Sequence, residues 1–84
     1  MKWQKLFGEN VRRLRKEMGV SQEELAYRAR IHRTYLGGVE RGERNISLEN
    51  IIAIAGAVEC NISELFAGLD EELRAIRGRK RRRA

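Results

Sequence analysis

Ser21-Gln22-Glu23-Glu24-Leu25-Ala26-Tyr27-Arg28-Ala29-Arg30-Ile31-His32-Arg33-Thr34-Tyr35-Leu36-Gly37-Gly38-Val39-Glu40-Arg41-Gly42 is the stretch on which the fold turns. Ser21 followed three residues later by Glu24 matches a capping box, in which hydroxyl and carboxylate each satisfy a backbone N–H at a helix start. The spacing predicts a short helix over about 22–29 with Leu25, Ala26 and Ala29 facing inward. A second helix is expected over 33–41, with His32 as N-cap and Gly42 just beyond its end. Its inner side would carry Tyr35, Leu36, Val39 and Glu40. Its outer side would carry Arg33, Thr34, Gly37, Gly38 and Arg41. Two short helices joined by a tight turn result, one face apolar and the other polar or small.

Working outward, Trp3, Phe7, Val11, Leu14 and Met18 recur at three- and four-residue steps with Lys and Arg opposite, an amphipathic first helix. Gly19 stands where a left-handed cap ends it. Downstream, Ser47 caps a fourth helix with Leu48, Ile51, Ile52, Ala55 and Val58 as its apolar stripe and Ile54 beside it. Asn61-Ile62-Ser63-Glu64 opens a short fifth helix through Leu65 and Phe66. From Leu69 the character changes. Asp70-Glu71-Glu72 with Leu73 and Ile76 can extend for a helical turn or two, whereas Arg79-Lys80-Arg81-Arg82-Arg83 has no apolar partner and is expected to be disordered alone. No strand alternation and no repeat is visible. The expected fold is all-α: a compact five-helix domain over 1–68 carrying the helix pair 22–41, then a short helical extension and basic tail over 69–84. An 84-residue chain supports one modest core, which dimerisation would help.

Net charge is +6, distributed unevenly: residues 69–84 hold seven basic and three acidic side chains, so the tail carries +4 and residues 1–68 only +2. Charge alone favours nucleic acid or an anionic membrane without choosing. No apolar run approaches the roughly 20 residues that span a bilayer, and Met1-Lys2-Trp3-Gln4-Lys5 lacks a secretory pattern, so a cytoplasmic protein is expected. One cysteine, Cys60, excludes an intrachain disulfide and reads as a small buried thiol. One histidine and one cysteine, without clustered carboxylates, leave no nucleophile–base pair and no metal set, so neither enzyme activity nor a cofactor is expected. The helix pair suits a different task. Ala26 lets the first helix brace the second at close range; Leu25, Ala29, Ile31, Leu36 and Val39 anchor both. The second then presents a polar or small face to a DNA groove. An ordinary pair in a helical bundle would show similar apolar spacing.

Ser21-Gln22-Glu23-Glu24-Leu25-Ala26, Tyr35-Leu36, Val39-Glu40-Arg41-Gly42, Ser47-Leu48-Glu49 and Asn61-Ile62-Ser63-Glu64-Leu65-Phe66 together resemble the phage-repressor (XRE-type) helix-turn-helix family over about residues 6–68. Within it, His32-Arg33-Thr34-Tyr35-Leu36 and Glu40-Arg41-Gly42-Glu43-Arg44-Asn45 look most like controller proteins of restriction-modification systems. The resemblance implies a homodimer on a palindromic operator in a prokaryote or phage. It implies that Gln22 holds a phosphate at a helix N-terminus, and that Arg33 and Thr34 read bases. Arg is suited to guanine O6 and N7, Thr to a hydrogen bond or a thymine methyl. Tyr35 would bond a phosphate or pack half in the core. Arg44, Asn45 and Ser47 would touch backbone or groove edge, with Arg41 on the same face. Arg15 and Glu40 match a structural ion pair. Two departures stand out. Arg30 occupies a turn position usually held by glycine, where a left-handed conformation costs about 1–2 kcal/mol. Gly37 and Gly38 replace base-reading side chains, which suggests close approach of the helix backbone to DNA and specificity carried partly by DNA shape.

Ile46, Leu48, Ile52, Ile54, Leu65, Phe66 and Leu69 offer more apolar surface than so small a domain hides, and Ile52, Leu65, Phe66 and Leu69 are the expected dimer contacts. The basic tail, Arg79 to Arg83, is either a solvated extension or an additional phosphate contact. A rival reading is an antitoxin that binds a toxin through its C-terminal segment. Another is an RNA or membrane-surface binder driven by the tail, against which stand the core-like positions of Trp3, Phe7, Tyr27 and Phe66.

Overall fold

Every element of the computed structural model, which describes residues 2–81 and side chains through residue 78, is a helix. In chain order these are α1 (Lys2–Met18), α2 (Gln22–Ala29), α3 (Arg33–Glu40), α4 (Leu48–Val58), α5 (Ile62–Leu65) and α6 (Leu69–Arg81). No strand occurs among the described residues. The core gathers Phe7, Val11 and Leu14 from α1, Leu25, Ala26 and Ala29 from α2, and Leu36 and Val39 from α3. Ile54, Ala55 and Val58 of α4 and Leu65 of α5 complete it. Fully burying one such aliphatic side chain contributes about 1.5–3 kcal/mol, so the helices are held by shared packing more than by their own propensity.

Side-chain caps set the helix starts. Ser21 Oγ accepts from the Glu24 N–H at 3.0 Å, and Ser47 Oγ accepts from the Asn50 N–H at 3.2 Å. The reciprocal half of the expected box at Ser21 is missing, because the Glu24 carboxylate pairs instead with Arg28 one turn on, at 2.8 Å. The Asn61 N–H does donate to Glu64 Oε2, at 2.8 Å. His32 holds the N-cap position of α3 with an extended backbone but makes no capping hydrogen bond. The third helix stops at Glu40, with Arg41 as its C-cap.

Both α2 and α4 end on a non-glycine residue in the left-handed region, Arg30 at φ 60° and Glu59 at φ 56°. The hydrogen bonds explain why. Arg30 N–H reaches Tyr27 O and Ile31 N–H reaches Ala26 O, while Glu59 N–H reaches Gly56 O and Cys60 N–H reaches Ala55 O. This double closure satisfies the last carbonyls of each helix and turns the chain sharply.

Close approach of backbones fixes α3. A Cβ added to Gly8 of α1 would sit 2.2 Å from the Val39 carbonyl oxygen, so any larger residue would force the two helices apart. Gly42 combines φ 78° with a similar constraint: its Cβ would meet Lys5 Cα at 2.6 Å.

Three expectations require correction. The buried line of α4 is Ile54, Ala55 and Val58, with Ile51 half-buried, whereas Leu48 (70% exposed) and Ile52 (53%) face solvent. The stripe is rotated because α4 packs on both α2 and α1, with Ile54 completely buried. Of the four aromatics expected at core-like positions only Phe7 is buried. Tyr27 is 80% exposed, since burial of Leu25, Ala26 and Ala29 turns position 27 outward, and Trp3 (46%) and Phe66 (36%) are exposed as well. And α6 continues well beyond a turn or two, through Arg79, Lys80 and Arg81, in place of the expected disorder. Asp70, Glu71 and Glu72 in its first turn favour the positive end of the helix dipole, and basic residues follow toward the negative end. A Lys2–Glu72 ion pair at 3.4 Å ties α6 to α1. Arg82 and Arg83 lie outside the described residues. Cys60 is partly buried, and desolvation, reinforced by the Glu64 carboxylate, pushes its thiol up from the usual value.

Candidate nucleic-acid interface

The outer face of α3 is built from the inside out, beginning with an ion pair. Arg15 Nε donates to Glu40 Oε2 at 2.7 Å and Arg15 Nη2 donates to Glu40 Oε1 at 3.0 Å, a two-pronged pair buried between α1 and α3. Arg15 Nη1 also donates to the Val20 carbonyl at 3.0 Å. Gln22, the first residue of α2, joins this network, its Nε2 donating to Glu40 Oε1 at 2.9 Å. One carboxylate thus ties the helix that braces, the helix that is presented and the helix beneath both.

On the solvent side of this network, Gln22, Arg33, Thr34, Gly37 and Arg41 line a single open cleft of about 210 Å³. Arg33 and Thr34 are exposed on the first turn of α3. Arg41 lies at its far end, where its Nε donates to Glu43 Oε2 at 3.1 Å. That hydrogen bond raises the Arg41 guanidinium further and lowers the Glu43 carboxyl, so both stay charged near neutrality.

The remaining candidates lie outside this cleft, Arg44 and Asn45 lining a separate one. Tyr35 is half-buried against the core, and the Arg44 guanidinium carbon lies 5.7 Å from its ring centroid, within cation–π range. Asn45 Oδ1 accepts from the Gln4 side-chain amide, and Ser47 is occupied as the α4 cap. Gly37 and Gly38 do not offer a bare backbone to a ligand. Both are buried: a Cβ on Gly37 would lie 3.2 Å from Arg41 Nη1, and one on Gly38 would lie 3.0 Å from Arg44 Cγ and Nε. In the free protein, arginine side chains fill the space beside the α3 backbone at these positions.

The expected dimer contacts are not brought together. Leu65 is completely buried in the core, as is Ile54, so neither can reach a partner. Phe66 and Leu69 line an apolar cleft of about 230 Å³ with Trp3, Phe7, Ile46 and Ile51, where the Phe7 and Phe66 rings pack at 5.3 Å. Ile52 lies elsewhere, in a groove between α2 and α4 walled by Arg28, Arg30 and Glu59. Sequence reasoning also passes over Gly8, which sets the depth of α3, and Glu43, which holds Arg41. Only a missing side chain and an exposed pair two residues apart mark them.

A short helix braced by a second, locked by a buried ion pair and presenting Arg33, Thr34 and Arg41 across one cleft, defines a helix-turn-helix DNA-binding regulator. The chain belongs to the helix-turn-helix family, whose model matches residues 11–65. Among its relatives, Control protein C.BamHI of Bacillus amyloliquefaciens is 48% identical over 62 residues, 73% of this chain and 76% of that one. Control protein C.SmaI of Serratia marcescens is 42% identical over 69 residues, covering 80% and 82%. The crystal structure of the restriction-modification controller protein C.AhdI from Aeromonas hydrophila superposes with a TM-score of 0.74 at 48% identity, over 75% of this chain and 96% of that one. No helix among the described residues is long and apolar enough to cross a membrane.

Proposed function

We propose that this protein is a restriction-modification controller: a cytoplasmic, non-enzymatic homodimer that binds a palindromic operator and regulates transcription. The observation that carries the reading is the cleft in which Gln22, Arg33, Thr34, Gly37 and Arg41 meet on the exposed side of a rigidly braced α3. Arg33 and Thr34, exposed on the first turn, read base edges in the major groove. The N-terminus of α2 at Gln22 holds a phosphate through backbone N–H groups, because the Gln22 amide already serves Glu40. Tyr35, Arg44, Asn45 and Ser47 contact the sugar-phosphate backbone and set the register. The dimer joins through exposed apolar surface, with Ile52 of α4 at its centre. Phe66 and half-buried Leu69, on a separate face, are the second candidate seam. Half-sites are then spaced about one helical turn apart, near 10 bp. Residues 1–68 form the DNA-binding unit. Residues 69–84 are an extension whose basic end, Arg79 to Arg83, adds phosphate contacts.

The test is selection of bound sequences from a random duplex pool at about 150 mM salt, with wild type and Arg33→Ala in parallel. The expected result is a palindromic motif that relaxes at matching positions of both half-sites in the variant. Binding that enriches no motif and merely fades with salt would make the helix pair a scaffold and redirect the search to a protein partner.

A further inference from the structure

Gly37 and Gly38 are poor helix residues placed in the middle of the helix that meets DNA. Neither has positive φ, so backbone conformation does not require them. What they share is an arginine lying in the space their side chains would take. Arg41, one turn beyond Gly37, folds back toward the N-terminus of α3, its Nη1 3.2 Å and Cζ 4.0 Å from the position of a Gly37 Cβ. Gln22 Oε1 approaches the same point from α2, at 3.7 Å. Glu43 holds the guanidinium from behind through Nε, leaving Nη1 forward over the glycine. Arg44 does the same over Gly38, but it lies on the loop and pairs with the Tyr35 ring. The two arginines therefore differ in destination. Arg41 reaches into the cleft that Arg33 and Thr34 line, whereas Arg44 lines the separate apolar cleft of Trp3 and Phe66.

We propose that Gly37 determines sequence specificity by seating Arg41: the absent side chain lets this guanidinium lie across α3 beside Arg33 and Thr34, where it reads a guanine in the major groove. The inference rests on the DNA-binding reading above. The chemistry fits because a guanidinium offers paired donors to guanine O6 and N7, and one bidentate contact discriminates between bases strongly. The exposed Glu43 carboxylate, 3.1 Å from Nε, biases the fork toward this orientation, which lessens the ordering that binding would otherwise demand. A methyl group at position 37 would meet the end of a flexible side chain and no backbone, so the Arg41 guanidinium would have to shift by a few tenths of an ångström off its seat while α3 stays intact.

The experiment compares wild type, Gly37→Ala and Arg41→Gln by selection from a random duplex pool, with thermal melts of each free protein. Gly37→Ala and Arg41→Gln are expected to lose preference for the same base pair of each half-site, by at least roughly tenfold, with the other positions retained. The Gly37→Ala melting temperature should hold or rise, since alanine is the better helix former. That opposition of a sounder fold and a weaker preference separates a positioning role from a structural one. Unchanged preferences in Gly37→Ala, preferences lost at a different base pair from Arg41→Gln, a uniform loss across all sequences, or a lower melting temperature would each overturn the proposal. Absence of any motif with the wild type would instead sink the DNA-binding reading and this inference with it.

Discussion

Glu40 accepts three hydrogen bonds, two from Arg15 and one from Gln22, while almost wholly buried. Removing it would leave the Arg15 guanidinium without its counter-charge, and breaking a buried pair this way costs about 3–5 kcal/mol. Against the roughly 5–15 kcal/mol typical of a small domain, Glu40→Ala should shift the urea midpoint sharply, and DNA binding should return wherever the variant is refolded by osmolyte. A variant that melts like wild type yet fails to bind would make Glu40 a contact residue instead. The pairing of positions 15 and 40 was legible only through family resemblance, since nothing in the spacing places α1 beside α3. Arg30 raises a different question. Its left-handed conformation and that of Glu59 each carry about 1–2 kcal/mol of strain. Part of that is returned as unfolded-state freedom when glycine is introduced. Arg30→Gly and Glu59→Gly should therefore both gain up to about 1 kcal/mol in denaturant melts. If Arg30 also touches a phosphate, only its glycine variant weakens binding, alike for every DNA sequence; equal binding by both variants would remove Arg30 from the interface.

At the level of elements, the capping residues Ser21, Ser47 and Asn61 made the starts of α2, α4 and α5 readable, because a hydroxyl or amide before an apolar run has few other uses. The rotation of α4 was not readable. Isoleucines at 51, 52 and 54 supply two possible stripes, and only packing against α1 and α2 decides that Ile54 goes inside and Ile52 out. The extent of α6 escaped for a related reason: a run rich in arginine has no apolar periodicity, yet its residues are good helix formers and its charge order suits the helix dipole. In the cleft, Arg33, Thr34 and Arg41 were legible from their shared face, whereas the seats under Arg41 and Arg44 were not, because a glycine announces no partner. The exposed Ile52 gives the cleanest probe of the proposed dimer. Charging it should not disturb the core, and removing one buried aliphatic side chain from an interface is worth about 1.5–3 kcal/mol. Ile52→Glu should thus raise the dimer dissociation constant by roughly tenfold or more in sedimentation. An unchanged constant would place the interface on the separate cleft of Trp3, Phe66 and Leu69; a wild type that stays monomeric at tens of micromolar would remove the dimer altogether.

Most of the molecule's excess charge lies apart from the braced α3. Residues 1–68 hold nearly balanced charge and the braced α3, while most of the excess positive charge follows on α6 and beyond. Salt dependence can tell these contributions apart. Each phosphate neutralised releases condensed counterions and steepens the fall of log K with log salt by about 0.9. The release is indifferent to base sequence, whereas hydrogen bonds to base edges are not. A basic segment that contacts phosphates should therefore add affinity to operator and random duplex in equal proportion, leaving their ratio untouched. Deleting residues 79–84 should lower both affinities by the same factor and flatten the salt slope by about 0.9 for each phosphate no longer neutralised, while Arg33→Ala should lower the operator affinity alone. Titrations of operator and random duplexes across a salt series decide it. A slope that does not change on deletion would make the basic end a solvated extension. A loss confined to the operator would mean that it reads sequence, and that the division between charge and readout does not hold.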